Sequence, residues 1–218
     1  MLLMGILVVV LVFLFLGITQ AAFEAVGFSQ VDFAILLVAT LIGSFINIPI
    51  TRISGIEPVT GYREVSHFGF IYRIPVTAQA RVSTVVAINV GGAVVPIIVS
   101  AYLLLTHASL ALDVLIGVVI TSIAVHLMAR KVKGEGIQTP ALLPPIAAAI
   151  ISILLHPASG VAVVAYISGS MGALIGADLS NLGSINDLGA PFVSIGGAGT
   201  VDGVFLTGII AVILVSIF

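Results

Sequence analysis

The composition of the chain excludes a water-soluble protein. Of its 218 residues, 60% are hydrophobic and 7% are charged, whereas a soluble domain has about 25% charged residues. The formal net charge of −2 gives no basic surface to attract nucleic acid, and the absence of cysteine excludes disulfides and cysteine nucleophiles. The sequence therefore predicts a multi-pass protein of the cell membrane that contacts lipid and no nucleic acid.

Membrane helices require about 20 apolar residues, and the chain contains seven nearly uncharged runs that approach this length. They are Met1 to Thr19, Phe33 to Ile50, Ser83 to Leu105, Leu110 to Ala129, Leu142 to Leu155, Val161 to Ile175 and Val201 to Phe218. The fifth and sixth runs are short, which leaves open whether they are full crossings or re-entrant segments. The expected fold is all-α and polytopic, with about seven transmembrane helices in one integral-membrane domain, residues 1–218.

The positive charges predict which side of the membrane each loop occupies. All seven Lys and Arg residues lie in two stretches, from Arg52 to Arg81 and from Arg130 to Lys133. Two predicted spans separate these stretches, so both are expected on the same side, which the positive-inside rule makes cytoplasmic. The amino terminus is then cytoplasmic and, with seven spans, the carboxyl terminus is outside.

One loop shows the alternation that is typical of strands. Ile48 to Ile53 and Glu64 to Val76 alternate apolar and polar residues and contain aromatic and β-branched side chains. We therefore expect a small cytoplasmic β element in residues 51–82, the loop between the second and third spans.

Polar side chains are costly inside a bilayer and for that reason indicate function. Asn47, Asn89, Asp178 and Asp202 are expected on four different helices and at one level of the cytoplasmic leaflet. A carboxylate at a helix C-terminus, where Asp178 is expected, opposes the helix dipole, whereas Asp202 in a first helical turn would complement it. The two asparagines have an alternative role as interhelical hydrogen-bonding groups.

Two carboxylates at one level predict hydrolysis of a peptide bond. With Asn47 or Asn89 as further ligands they could hold a divalent ion that activates water; oxygen ligands suit Mg, Mn or Ca, and His67 would favour Zn. Without a metal, Asp178 and Asp202 could act as a dyad in which one carboxyl stays protonated. The alternatives are a transporter or cation-binding protein with broken helices and a purely structural membrane scaffold. The sequence does not specify the substrate or the oligomeric state.

Four motifs carry a resemblance to a known family. They are NIPI at Asn47 to Ile50, NVGGAVVP at Asn89 to Pro96, GADLSNL at Gly176 to Leu182 and IGGAGTVDGVFLTGIIA at Ile195 to Ala211. Together they resemble an uncharacterised prokaryotic, largely archaeal, integral-membrane family, domain of unknown function 1614. The resemblance covers most of the chain and implies a metal-dependent transmembrane peptidase.

A looser similarity is to the presenilin-like intramembrane aspartyl proteases. Ile175 to Asp178 is similar to their Gly-x-Gly-Asp motif, and Pro140 to Leu142 matches their Pro-Ala-Leu motif. Ile175 and Ala177 replace the two glycines, the motifs occur in the reverse order, and fewer spans are expected. The similarity therefore implies at most the same aspartate chemistry.

Overall fold

A computed structural model of the chain describes residues 2–67, 70–132, 136–155, 160–187, 190–197 and 203–217. For residues 2, 3, 56–60, 67, 78–82, 136 and 185–187 it describes the backbone alone. The helices are α1 (Leu2–Ala25), α2 (Gln30–Gly43), α3 (Val95–Thr106), α4 (Ala111–Met128), α5 (Leu143–Leu155), α6 (Val161–Ala173) and α7 (Gly203–Ile217). The strands are β1 (Asn47–His67), β2 (Phe70–Asn89), β3 (Arg130–Val132), β4 (Gly136–Gln138) and β5 (Phe192–Ile195).

The expectation of an all-α protein with about seven transmembrane helices is wrong. Within the described part of the chain, three helical stretches are long and apolar enough to cross a membrane: Met4–Ala25, Ala108–Met128 and Val161–Ser184. The other apolar helices are shorter, and the longest of them, Val90–Thr106, would be about 25 Å long, against about 30 Å of bilayer hydrocarbon.

Two of the predicted spans are part helix and part strand. The second run is helical to Gly43 and extended from Asn47, and the third is extended to Asn89 and helical after it. β-branched residues such as Val85 and Val86 are dense in the extended parts, and they favour strands. Hydropathy does not distinguish an apolar strand from an apolar helix, which is why these two runs were wrongly predicted to be membrane-spanning helices over their whole length.

The largest departure from the expected fold is a long β hairpin. Strands β1 and β2 have 21 and 20 residues and pair antiparallel from Asn47 opposite Asn89 to His67 opposite Phe70, with one irregularity between Pro49 and Thr51. At about 3.3 Å per residue the ribbon is about 65 Å long. The predicted small element of residues 51–82 is therefore much too short, because the pairing continues into the apolar runs on both sides.

A short parallel strand closes the base of the hairpin. β5 pairs with residues Val85 to Ile88 of β2, which gives a three-stranded sheet in the order β1-β2-β5. Just before β5, the Thr84 hydroxyl donates to the carbonyl of Ala190 at 2.7 Å and the Val85 N–H donates to that of Pro191 at 3.0 Å. A separate two-stranded sheet pairs β3 with β4.

Helix α6 is the centre of the helical body. All of its residues from Val163 to Ser170 are buried, and α3, α4, α5 and α7 pack around it. Four aromatic rings meet at one end of this core. The centroid of the Phe23 ring lies 5.5 Å from that of Phe33, 6.1 Å from that of Tyr166 and 6.2 Å from that of Phe205. The C-terminal part of α1 is thereby fixed to α2, α6 and α7.

The first part of α1 has a different environment. Every described side chain from Met4 to Phe15 is exposed, and all but Gly5 are hydrophobic. A helix that is apolar all round is stable only where an apolar medium surrounds it. The segment belongs to the stretch Met4–Ala25, which is long and apolar enough to cross a membrane.

Candidate functional site

Asp178 lies where the sixth helix loses its α-helical hydrogen bonding. A π-helical segment, Leu174–Asp178, follows α6, and 3-10 turns begin at Leu179. π-helical turns inside helices are rare and frequent at functional sites. Nearby side chains satisfy the disturbed carbonyls: Ser180 donates to the oxygen of Gly176 at 2.6 Å, and Asn181 donates to that of Ala177 at 2.9 Å.

The Asp178 carboxylate is bonded to the backbone of the β5 segment. Its Oδ2 accepts the N–H of Gly196 at 2.6 Å, and the side chain is half-buried. A short hydrogen bond to a charged acceptor is about twice as strong as a neutral one. This contact fixes the end of the sixth helix against the residue that follows β5.

Gly196 cannot be replaced by another residue without strain. Its φ is 71°, a left-handed conformation that glycine adopts without steric cost. A Cβ on Gly196 would also lie 2.7 Å from the Cβ of Ala93. Ala93 belongs to the π-helical segment Val90–Val94 that precedes α3, so the GGA sequence at residues 91–93 packs directly against the start of the second GGA, at Gly196.

The structure brings Asn47 and Asn89 together at the base of the hairpin. The Asn89 side chain is buried and makes three hydrogen bonds. Its Nδ2 donates to Asn47 Oδ1 at 3.1 Å and to the carbonyl of Ser44 at 2.8 Å. Its Oδ1 accepts the Gly92 N–H at 2.8 Å. The hydroxyl of Ser194 in β5 donates to Asn47 Oδ1 at 2.5 Å. These bonds join the ends of β1 and β2 to β5. Both asparagines lie at the ends of strands, whereas the sequence had suggested helices.

Asp178 borders a cavity of about 380 Å³, within the range of about 300 to 1,000 Å³ that is typical of ligand sites. Its walls are formed by the ends of several elements rather than by one helix face. They are β4 and the Thr139 to Leu142 segment after it, Pro144 of α5, Ala173 and Ala177 of the sixth helix, Gly196 and Gly197 after β5, and Gly203, Val204, Leu206, Thr207 and Ile210 of α7. The Pro-Ala-Leu segment and Asp178 therefore line the same cavity.

The described residues alone do not form a complete metal site. Among the residues that the structure describes, no three His, Cys, Asp or Glu residues are grouped as a metal site requires. The Oδ1 of Asn47 accepts two protein hydrogen bonds, which uses both of its lone pairs, and Asn89 is buried with its own amide engaged. Asp202 and the side chain of His67 lie outside the described residues.

The roles of Ser194 and Gly196 in this site were not predicted from the sequence. Both residues lie between the two candidate aspartates, in a stretch rich in glycine, and glycines such as Gly196 and Gly197 allow a close approach of the backbone. The partner of Asp178 could not be found by residue type, however, because it is a backbone N–H, which every residue except proline has.

Sequence comparison places the chain in a family. The profile of the family described as "Protein of unknown function (DUF1614)" matches residues 41–214. The chain belongs to the DUF1614 family. The resemblance carried by the four sequence motifs is thus confirmed, and the matched region includes Asn47, Asn89, Asp178 and Asp202. No curated protein and no solved structure matches this DUF1614 protein.

Proposed function

We propose that this DUF1614 protein is a membrane-embedded hydrolase that cleaves a peptide bond with the Asp178 carboxyl and without a metal. The observation that supports the proposal is the position of Asp178: its carboxylate is held by the Gly196 N–H at 2.6 Å and borders a cavity of about 380 Å³. Ionisable groups inside membrane segments are rare and mark functional sites. A carboxyl fixed in one position beside a cavity is the arrangement that acid–base catalysis needs.

Asp202 is the second carboxyl of the proposed dyad. It directly precedes Gly203, which lines the cavity. In the reaction, the ionised carboxyl takes a proton from water while the water oxygen bonds to the peptide carbonyl carbon, and the protonated carboxyl donates to the carbonyl oxygen. The carboxyl that took the proton from water then donates it to the peptide nitrogen as the C–N bond breaks. The other carboxylate takes a proton from a hydroxyl of the tetrahedral intermediate, so that a carboxylic acid and an amine leave and the dyad returns to its starting state. Repulsion between two negative charges at one site would keep one of the two carboxyls protonated.

An extended peptide is the substrate class that the cavity walls favour. Ile137 and Gln138 of β4 line the cavity together with the Pro140 to Leu142 segment. These two residues belong to the two-stranded sheet of β3 and β4, and addition of a strand to a sheet is a common mode of peptide recognition. A substrate bound in this way would be held extended along the cavity that Asp178 borders.

The test is cleavage by purified protein in lipid vesicles. Co-reconstituted membrane peptides are analysed by mass spectrometry, with and without chelator, for the wild type, Asp178→Asn, Asp202→Asn and the double variant. We expect chelator-resistant cleavage that each single change reduces at least about 100-fold and that the double change reduces little further, because residues that act as a unit are not additive. Glu24→Gln is the matched control, since it also replaces a carboxyl by an amide but lies on α1. Full activity of Asp178→Asn would disprove the proposal.

One observation favours a second candidate, a cation or proton transporter. The sixth helix is interrupted by its π-helical segment at Asp178, and transporters commonly bind ions at helices broken in this way. The same vesicles distinguish the two functions. Cation flux that Asp178→Asn abolishes, with no cleaved peptide, would favour the transporter.

We also propose that the hairpin and the Arg130 to Lys133 segment face the cytoplasm, since together they carry all seven Lys and Arg residues. A single Cys replacing the exposed Ser66 should then react with an impermeant reagent from the cytoplasmic side alone. A Cys at Ala108, which is exposed just before α4, should react from outside, a placement that requires the shorter helix Val90–Thr106 to cross the membrane as well. The placement of the carboxyl terminus no longer follows, because it depended on seven spans.

A further inference from the structure

The end of the hairpin away from the helices is uncovered. Every described side chain from Tyr62 to Ser66 and from Phe70 to Thr77 is exposed. In this part the described sheet has two strands, since β5 pairs with β2 at Val85 to Ile88 alone. A two-stranded ribbon is marginally stable in water. A ribbon of this length therefore requires a surface to lie against.

The two faces of this part of the ribbon differ in polarity. Residues that pair directly lie on the same face, and successive pairs alternate between faces. From the register, one face carries the apolar side chains of Val65, Phe70, Tyr72, Ile74 and Val76, which we name the apolar tip face. The opposite face carries Tyr62, Glu64, Ser66, Ile71, Arg73, Pro75 and Thr77.

The polar groups of the ribbon lie mainly on the opposite face. There Glu64 and Arg73 form an ion pair at 3.0 Å. On the apolar tip face, Phe70 is 68% exposed and Tyr72 is 55% exposed. Burial of such side chains is worth roughly 25 cal/mol per Å² of apolar surface, so covering this face supplies the stability that the isolated ribbon lacks.

The charge of the hairpin identifies the surface that covers it. Residues 47–89 contain four arginines and two glutamates, and Arg63 lies on the apolar tip face opposite Ile74. The ribbon also starts at the membrane body: β1 begins soon after α2 ends at Gly43, and β2 leads directly into the apolar helix Val90–Thr106. Aromatic and basic side chains on one apolar face are typical of segments that lie in an anionic lipid interface.

We propose that the apolar tip face lies on the surface of the same membrane, with Phe70 and Tyr72 among the acyl chains and Arg63 against anionic lipid headgroups. A second copy of the chain is the less suitable partner. Two-fold pairing of this face would bring Arg63 against an identical face, on which the described side chains include no carboxylate. An anionic leaflet supplies the opposite charge, at about 1 kcal/mol per basic residue.

The absence of tryptophan provides a direct test. Tyr72→Trp and Tyr62→Trp place one fluorophore on opposite faces of the same exposed ribbon, so neither disturbs the core. The full chain is reconstituted in phosphatidylcholine vesicles with and without phosphatidylglycerol and with spin-labelled lipid as quencher. In vesicles with phosphatidylglycerol we expect blue-shifted emission and at least twofold stronger lipid quenching for Tyr72→Trp than for Tyr62→Trp, and acrylamide should quench Tyr62→Trp more.

Charge variants in the Tyr72→Trp background complete the experiment. Arg63→Glu should reduce the lipid quenching, whereas Arg73→Gln, which removes an arginine from the opposite face, should leave it nearly unchanged. Equal quenching of the two tryptophans would overturn the proposal. So would a blue shift of Tyr72→Trp that depends on protein density in the membrane without lipid quenching, since that result identifies a second copy as the partner. None of these readings depends on the hydrolase activity.

Discussion

The Asp178 carboxylate accepts the backbone N–H of Gly196 at 2.6 Å, and Gly196 in turn packs against Ala93. One hydrogen bond and one close contact therefore connect the end of the sixth helix, the end of β5 and the segment that precedes α3. This connection also sets one wall of the cavity. Changes at Asp178 and Gly196 should consequently affect stability as well as activity, and suitable variants separate the two effects.

Asp178→Asn should lose activity and keep its fold, because the amide oxygen of asparagine still accepts the Gly196 N–H. Asp178→Ala should lose activity and also be destabilised by about 1 to 3 kcal/mol, the cost of leaving a buried N–H without a partner. Thermal unfolding in detergent, measured alongside peptide cleavage, checks both. If the two variants unfold at the same temperature, the hydrogen bond does not contribute to stability.

Gly196→Ala should destabilise the protein by at least about 2 kcal/mol. The left-handed φ of 71° costs an alanine roughly 1 to 2 kcal/mol, and the added Cβ would overlap Ala93 and force a shift of the backbone. Gly183→Ala is the matched control, because a Cβ there has no neighbour within 4 Å. A melting temperature unchanged in Gly196→Ala and lowered in Gly183→Ala would contradict this account.

The sequence predicted the environment of the protein better than its secondary structure. Composition indicated lipid, and the exposed apolar side chains from Met4 to Phe15 agree with it. The number of membrane-spanning helices was too high in part because segments such as Val85 to Ile88 are as apolar as a membrane helix but lie in a sheet. The pairing of β2 with β5 joins segments that lie more than 100 residues apart in the chain, and local patterns contain no information about it.

Asn89→Ala should cost about 2 to 6 kcal/mol, because the Gly92 N–H and the Ser44 carbonyl each lose a partner at about 1 to 3 kcal/mol. Ser194→Ala removes one bond to Asn47 and should cost about 0.5 to 1.5 kcal/mol. Denaturant unfolding measures both, and the binding of Mg²⁺ or Mn²⁺ is compared in parallel. A loss of metal binding in Asn89→Ala without a loss of stability would restore the asparagine as a ligand.

The polar side chains predicted at one level of the membrane were a useful guide to the site, but the sequence did not reveal the role of each residue. Asn47 and Asn89 hydrogen-bond each other and hold the sheet, whereas Asp178 borders the cavity. An asparagine that binds a ligand and one that binds the backbone have the same sequence signature. Their roles differ only in which donors and acceptors the fold places within about 3 Å.

The first turn of α2 gives a pH-dependent prediction. Two hydrogen bonds from Ser29, first from its hydroxyl and then from its backbone N–H, lower the pKa of Asp32. A carboxyl whose pKa is lower in the folded state stabilises the fold above its unfolded value of about 3.9, and this contribution is lost as the pH falls through the folded value. The melting temperature of the wild type should therefore exceed that of Asp32→Asn at pH 7, and the difference should shrink below about pH 4. A difference that grows on acidification would contradict the capping role.

The contact of α4 with α6 depends on one small residue facing a larger one. A Cβ on Gly172 would lie 2.5 Å from the Cγ2 of Thr121 and 2.7 Å from its Cβ, so Gly172→Ala must push the two helices apart. We expect a loss of about 1 to 3 kcal/mol, as for other overpacked cores. Because the sixth helix also carries Asp178, peptide cleavage should fall together with stability.

Placing the small residue on the other helix instead should recover part of the stability that Gly172→Ala loses. Thr121→Gly removes both atoms that the new Cβ would meet, although it costs about 1 kcal/mol for glycine inside a helix and also removes a buried side chain. Unfolding of the wild type, the two single variants and the double variant gives the coupling energy. We expect the double variant to lose less free energy of unfolding than the two single variants lose together, by at least about 1 kcal/mol. Simple additivity would show that α4 and α6 do not pack through this pair. The close approach would then be assigned to other small residues, such as Gly117 of α4, where an added Cβ would meet the hydroxyl of Ser168 in α6.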